Sequence, residues 1–333
     1  AVDGDVYDVS KFARLHPGGS LILEQYGGKD ATEAFYEMHR KDVLAKYARL
    51  KVGKLEGAKS VEWQPGEITK VPFFELPAFQ GQNSPYYRES HKKLVQAVRA
   101  FVQTELEPIA EAQDLAGDYP ELELRQKLGA AGMMAIRMGP GPWLKFVGML
   151  GIKIPGDVQP DDFDYFHEML THLEFARLGR PGFIDSLGAG WGISAPAVFH
   201  FCNDQVRQTV GAQLLKGDKW SALAISEPFA GSDVAALRAT AEKTPDGKHY
   251  IVNGIKKWIT EGMYADYFVT AVRTGKTGTP KDMSMLLVER GPGVETKQIK
   301  TTYSTCCGTA MVLMNNVKVP VENLMGKEGR GFL

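Results

Sequence analysis

Residues 222–234 read Ala222-Leu223-Ala224-Ile225-Ser226-Glu227-Pro228-Phe229-Ala230-Gly231-Ser232-Asp233-Val234, and the chain changes character on either side of them. Small residues, a proline and a glycine after a strand expose several backbone N–H groups together. Such a surface suits a ligand with carbonyl and ring-nitrogen acceptors, or a phosphate. Downstream the period is that of strands: Tyr250 to Trp258, with Asn253-Gly254 expected to turn a hairpin, then Tyr267 to Val272, Ser284 to Val288 and Met311 to Val319. Upstream the period is helical. Leu94, Val95, Val98, Phe101, Val102 and Leu106 recur at spacings of three and four up to Pro108. Pro120 opens a second helix to Leu128, a Gly/Pro loop is expected over 139–160, and Phe163 to Leu178 is helical again. Helices first and strands second predict an α domain followed by a β domain, not alternating βαβ units. No Gly-x-Gly-x-x-Gly follows a strand and no Walker loop occurs.

The 333 residues carry 39 Lys and Arg against 40 Asp and Glu, a net charge of −1. That balance, without a run of like charges, gives no reason to expect a nucleic-acid partner. Apolar residues make up 44% and charged residues 24%, the composition of a soluble globular chain of two or three domains. The most apolar stretch, 143–154, is interrupted by Lys145, Lys153 and glycines, so no membrane span is expected. Residue 1 opens mid-pattern, and no targeting signal is visible. Cys202, Cys306 and Cys307 give an odd count, the adjacent pair is badly placed for an ordinary disulfide, and no Cys-x-x-Cys occurs. An intracellular, reducing compartment is expected, without a choice among cytoplasm, mitochondrion and peroxisome. His167 and His172 lie five apart, about 140° around a helix, which argues against a shared metal.

The first 56 residues form a distinct module. Asp3-Gly4-Asp5-Val6-Tyr7-Asp8-Val9 leads to His16-Pro17-Gly18-Gly19, and Asp30-Ala31-Thr32-Glu33 starts a helix running to about His39. A haem with two axial imidazoles needs histidines reaching it from opposite sides within an apolar crevice. Leu21, Phe35, Val43 and Leu44 are available as walls. Singly, each histidine reads as an ordinary structural residue; together with their flanks they do not. The stretch resembles the cytochrome b5 haem-binding domain, which implies haem b with His16 and His39 as axial ligands. Arg40, where that family often has serine, is a departure, and so is the lack of the family's opening strand upstream of Val2.

Residues 57–83 have linker composition, with Pro65, Pro72 and Pro77 alternating with Gly57, Gly66 and Gly81. A semi-extended segment is expected there, with Trp63, Phe73 and Phe74 docking onto a neighbour. If flexible, its root-mean-square span is about 25–30 Å.

By spacing alone, Trp258 reads as a core aromatic and Glu227-Pro228 as an ordinary turn. The combination reads differently. Ser226-Glu227-Pro228, Ala230-Gly231-Ser232-Asp233, Asn253-Gly254, Trp258-Ile259-Thr260, Val317 to Pro320, Glu322-Asn323-Leu324 and Gly326 to Phe332 resemble the acyl-CoA dehydrogenase family. A b5 module ahead of such a body is similar to fusions met in fungi. The resemblance implies a helical domain at 84–218 and a middle β domain at 219–333. It implies FAD with Leu223, Ile225 and Ser226 at the flavin's pyrimidine end, Trp258 and Ile259 against the ring and Thr260 near N5. It implies Ser232 in contact with the acyl-CoA substrate.

Glu261 stands where the family usually has asparagine, Leu223 where an aromatic is common, and Thr301 to Cys307 replaces a basic stretch. The family's C-terminal helical domain, which supplies its catalytic glutamate and much of its oligomer contact, is expected to begin where this sequence ends. The catalytic base is therefore unassigned, these residues alone are expected to be inactive, and Glu227 reads as part of a loop. The expected function is α,β-dehydrogenation of an acyl-CoA, with the haem module as electron carrier, a possible redox partner protein, and a homo-oligomer as the complete protein. The rival reading is a haem electron-transfer protein whose body binds acyl-CoA without turnover or acts as a scaffold.

Overall fold

The computed structural model describes residues 1–58, 64–71, 73–276, 278–302 and 305–331. Two compact units are present, Ala1–Arg88 and Glu89–Leu333.

In the first unit, strands Asp5–Tyr7 and Lys51–Lys54 pair antiparallel, and three short helices, Ser20–Gln25, Thr32–Tyr36 and Lys41–Lys46, lie between them. Buried Tyr36 donates its hydroxyl to Asp3 (3.2 Å), while the Asp3 N–H donates to Thr32 Oγ1 (2.8 Å), tying the N-terminal turn to the second helix. Asp30 Oδ1 accepts the Thr32 N–H at 3.0 Å, a local turn just ahead of that helix, whose N-cap residue is Ala31.

The segment expected as a semi-extended linker folds on itself where it is described. The Thr69 N–H donates to Glu75 Oε1 (3.1 Å), and Gln80 Nε2 donates to the carbonyls of Thr69 and Val71. Two side chains thus satisfy backbone groups that composition alone assigns to water. Phe74 lies under the Arg40 guanidinium at 4.6 Å, whereas Phe73 is fully exposed and docks on nothing. Trp63 falls outside the described residues.

The second unit begins with helices. Helix Glu89–Phe101 continues through a π turn at Val102–Leu106 into Glu107–Ala116, so Pro108 does not end it. The proline, which has no N–H to offer, sits in the first turn of the new helix. Helix Trp143–Met149 occupies part of the expected 139–160 loop, because Trp143, Leu144 and Val147 share one buried face. Helices Leu122–Ala130, Tyr165–Ala176, Ala189–Phe201 and Asp204–Lys216 complete the main packing. A buried two-point pair, Arg99 to Glu174 at 2.8 and 2.9 Å, fastens the first helix to Tyr165–Ala176.

Strands then form an eight-stranded sheet around the long strands His249–Ile259 and Ala310–Pro320. Asn253-Gly254 does not turn a hairpin. The strand runs straight through it with a register shift between Val252 and Gly254, and a Cβ on Gly254 would sit 2.4 Å from that of Ala239. Glycine is needed there for close approach at a bulge, not for reversal. The reversal lies at Thr244–His249, where Gly247 N–H donates to Thr244 O at 2.8 Å. Strand Ser221–Ala224 pairs parallel with Tyr267–Arg273, and helix Ala189–Phe201 packs against it. The start of that helix and the end of His249–Ile259 therefore meet the 222–234 stretch from two sides.

Candidate functional site

In the first unit the two imidazoles are neighbours, with ring centroids 5.9 Å apart and planes at 42°. His16 Nδ1 lies 3.1 Å from the Gly19 carbonyl and His39 Nδ1 3.2 Å from that of Phe35. A carbonyl only accepts, so both Nδ1 atoms carry hydrogen, which leaves Nε2 bare on each ring. A metal–nitrogen bond of about 2.0–2.1 Å puts the centroids of two opposed imidazoles roughly 6.4 Å apart, close to the spacing seen. Leu15, Leu21 and Met38 are exposed nearby in sequence, while Phe35 stacks on His39 at 4.7 Å. Gly18 matters for geometry: a Cβ there would lie 2.9 Å from His16 Cε1. Ring placement, tautomer and apolar surroundings all fit a haem held through two histidines.

In the second unit one cavity of about 150 Å³ is lined by Gly190, Ile193, Leu223, Ile225, Ser226, Trp258, Ile259 and Thr260. That is below the roughly 300–1,000 Å³ of a closed ligand pocket, so these residues make one wall of an open site. All six residues expected around a flavin lie on it. Ser232 does not; it is exposed on the adjoining loop, beyond Phe229, whose ring carries the Arg238 guanidinium at 4.5 Å. Gly190 and Ile193 were not legible as site residues, since they open an apolar helix without any motif.

Backbone geometry sets the wall. Trp258 has φ +68°, rare for a bulky residue, within a register shift between Lys256 and Ile259. The kink turns the indole outward: Trp258 is 55% exposed, while Trp143, Trp191 and Trp220 are at most 3% exposed. Behind it, Lys257 N–H donates to Ser226 O (2.8 Å), and buried Lys256 Nζ donates to Glu227 Oε1 (2.8 Å) and Ile225 O (3.1 Å). Glu227 also accepts from the N–H groups of Arg238 and Ala239. With those partners it is a loop anchor, not a base facing the cleft. An exposed indole with the Lys257 ammonium 4.7 Å from its centroid, two hydroxyls (Ser226, Thr260) and an aliphatic floor suit a planar ring with polar edges.

Another cluster has the elements of a metal site. His91, Asp164 and His167 converge, with Asp164 Oδ1 3.0 Å from His91 Nε2 and 2.8 Å from His167 Nδ1. These are hydrogen-bond distances, shorter than the roughly 3.3 Å between two donors on one tetrahedral zinc. The same Oδ1 accepts the N–H groups of Phe166 and His167, so the cluster caps helix Tyr165–Ala176. His172 lies on the exposed side of that helix.

Comparison with known families bears on both units. The cytochrome b5-like heme/steroid binding domain matches residues 1–56. The acyl-CoA dehydrogenase N-terminal domain matches 88–140 and the middle domain 222–317. The chain thus carries a cytochrome b5-like domain followed by segments that match the N-terminal and middle domains of acyl-CoA dehydrogenases. An acyl-CoA dehydrogenase of Emericella nidulans is 40% identical over 273 residues, covering 80% of this chain and 61% of the relative. One from Alternaria alternata is 33% identical over 262 residues, covering 79% and 60%. The chain thus spans about 60% of the length of these relatives. Among solved structures, butyryl-CoA dehydrogenase from Megasphaera elsdenii superposes with TM-score 0.63 at 26% identity, over 75% of this chain and 62% of its own. An acyl-CoA dehydrogenase complexed with FAD from Bacillus anthracis gives 0.60 at 26% identity, over 76% and 40%. The b5-like match supports haem in the first unit, and the FAD-complexed relative supports FAD in the second.

Proposed function

We propose that the protein carrying this chain removes two hydrogens from the α and β carbons of an acyl-CoA and passes the electrons to its own haem module. The observation that carries this reading is Trp258, a tryptophan turned out of the sheet by a left-handed residue onto the cavity that Ser226 and Thr260 share. FAD supplies a two-electron acceptor and haem a one-electron carrier. Leu223, Ile225 and Ser226 would hold the pyrimidine end of the flavin, Trp258 and Ile259 its ring, and Thr260 the region of N5. His16 and His39 would hold the iron through Nε2, their Nδ1–H bonds to backbone fixing both rings. Ser232, on its exposed loop, would meet the acyl-CoA once substrate covers that edge.

No described carboxylate on the cavity lining can take the α-proton, so the base is assigned to no residue here. Cys202, Cys306 and Cys307 are all buried, and the reducing, intracellular setting expected from the sequence belongs to the same proposal. A homo-oligomer and an external redox partner belong to the same proposal. Among the described residues no helix is long and apolar enough to cross a membrane.

The test is anaerobic titration of the purified intact protein with acyl-CoA thioesters. Bleaching of a bound flavin supports dehydrogenation. Thioester binding without bleaching favours the non-catalytic body, and a haem spectrum with no bound flavin removes the flavin reading.

A further inference from the structure

Glu261 follows Thr260 directly, has φ +63° and is completely buried. Its Oε2 accepts two short hydrogen bonds, from Trp191 N–H at 2.5 Å and Trp220 Nε1–H at 2.6 Å. Trp191 lies in the first turn of helix Ala189–Phe201, whose Gly190 and Ile193 line the cavity. Trp220 precedes strand Ser221–Ala224, whose Leu223 lines it as well. One carboxyl oxygen therefore ties the helical side of the cavity to its sheet side. The approach is tight: a Cβ on Gly190 would meet Thr260 O at 2.7 Å and Glu261 Oε2 at 2.9 Å.

The other oxygen, Oε1, is buried and has no hydrogen-bond partner among the described residues. With Oε2 occupied by two donors, a proton on this carboxyl belongs on Oε1, where a bare charge would be costly. The groups around it do not offset that cost. Arg137 is buried over the Phe175 ring, and its Nη1 and Nη2 donate to the carbonyls of Leu187 and Ile184. Tyr264 donates its hydroxyl to Ser186 O at 2.8 Å. Cys306 and Cys307 are buried thiols, and Asp185 acts electrostatically on Arg137. Burial pushes the Glu261 carboxyl up to about 8, against the pull of the Trp220, Trp191 and Gly190 N–H groups and the Arg137 charge.

We propose that Glu261 is a positioning residue of the flavin site, which in its neutral form holds the Gly190–Thr260 wall and the Trp220 side together so that the cavity receives the flavin. This rests on the reading of that cavity as the FAD site. A flavin over the wall removes water from it and makes the charged carboxyl still less favourable. Flavin binding and protonation of Glu261 are then linked with the same sign.

The experiment measures the dissociation constant for FAD of the deflavinated intact protein from pH 6.5 to 9.5. The wild type is expected to bind with constant affinity near neutrality. Its affinity should weaken about threefold or more by pH 9.5, with a slope no steeper than about tenfold per pH unit. Glu261→Gln should show no such break. Trp220→Phe removes a donor that favours the charged form, so its break should move to higher pH. It also decides the matter if Glu261→Gln does not fold. Matching wild-type and Glu261→Gln profiles, or an unmoved break in Trp220→Phe, overturn the positioning role while leaving the FAD site intact. A wild-type protein that binds no FAD at any pH overturns the site itself and this proposal with it.

Discussion

Lys256 Nζ lies 2.8 Å from Glu227 Oε1 in a pair whose side chains are 0% and 3% exposed, directly beneath the Ser226–Trp258 edge of the cavity. Such a pair need not add stability over an apolar isostere, but removing one partner leaves a buried charge uncompensated. Lys256→Met should therefore destabilise the second unit by about 3–5 kcal/mol in chemical denaturation. A loss below about 1 kcal/mol would show that Glu227 is fully served by the Arg238 and Ala239 N–H groups.

Trp258 makes the opposite case. Its indole is more than half exposed, so Trp258→Ala should barely change folding stability. FAD retention should weaken by roughly 1–3 kcal/mol, about 5- to 150-fold in dissociation constant. Equal flavin retention in the two proteins would count against stacking on this ring.

On the haem side, His39→Ala should yield five-coordinate or haem-poor protein, because one imidazole cannot complete the low-spin pair. Gly18→Ala is a finer probe. The added methyl would push on His16 Cε1, turning the ring from its Gly19 carbonyl bond and lowering haem occupancy without loss of the fold. An unaltered low-spin spectrum in His39→Ala would assign the ligand elsewhere.

Glu261 gives a stability test independent of flavin. Its folded pKa is raised above the unfolded value near 4.5, so the folded protein keeps a proton that the unfolded chain releases. Stability should fall as pH rises from about 4.5 to about 8, by up to about 1.4 kcal/mol per unit, and level off above. Glu261→Gln should lose that slope. Denaturant midpoints across pH 5 to 9 read it directly, and parallel curves would mean that Glu261 ionises as freely as an exposed carboxyl.

Much of this was legible because the informative residues are local. His16 with its glycines, and the runs 222–234 and 258–260, each carry their chemistry within a few positions. The structure brings Leu223, Ile225, Ser226, Trp258, Ile259 and Thr260 onto one cavity. What escaped depends on tertiary approach. Gly190 and Ile193 join the wall only because helix Ala189–Phe201 packs on strand Ser221–Ala224. Asn253-Gly254 has the composition of a turn, yet the need at Gly254 is space against Ala239. Glu261 was visible as a substitution, but its role follows from two tryptophan N–H groups 41 and 70 residues away in sequence.

The most direct measurement is stopped-flow mixing of the intact, oxidised protein with saturating acyl-CoA without oxygen, following flavin and haem absorbance together. Two substrate electrons leaving through a haem in the same chain predict flavin bleaching first, then haem reduction at a rate independent of protein concentration. Haem reduction that accelerates in proportion to protein concentration, or haem that stays oxidised while the flavin bleaches, would contradict transfer within one molecule.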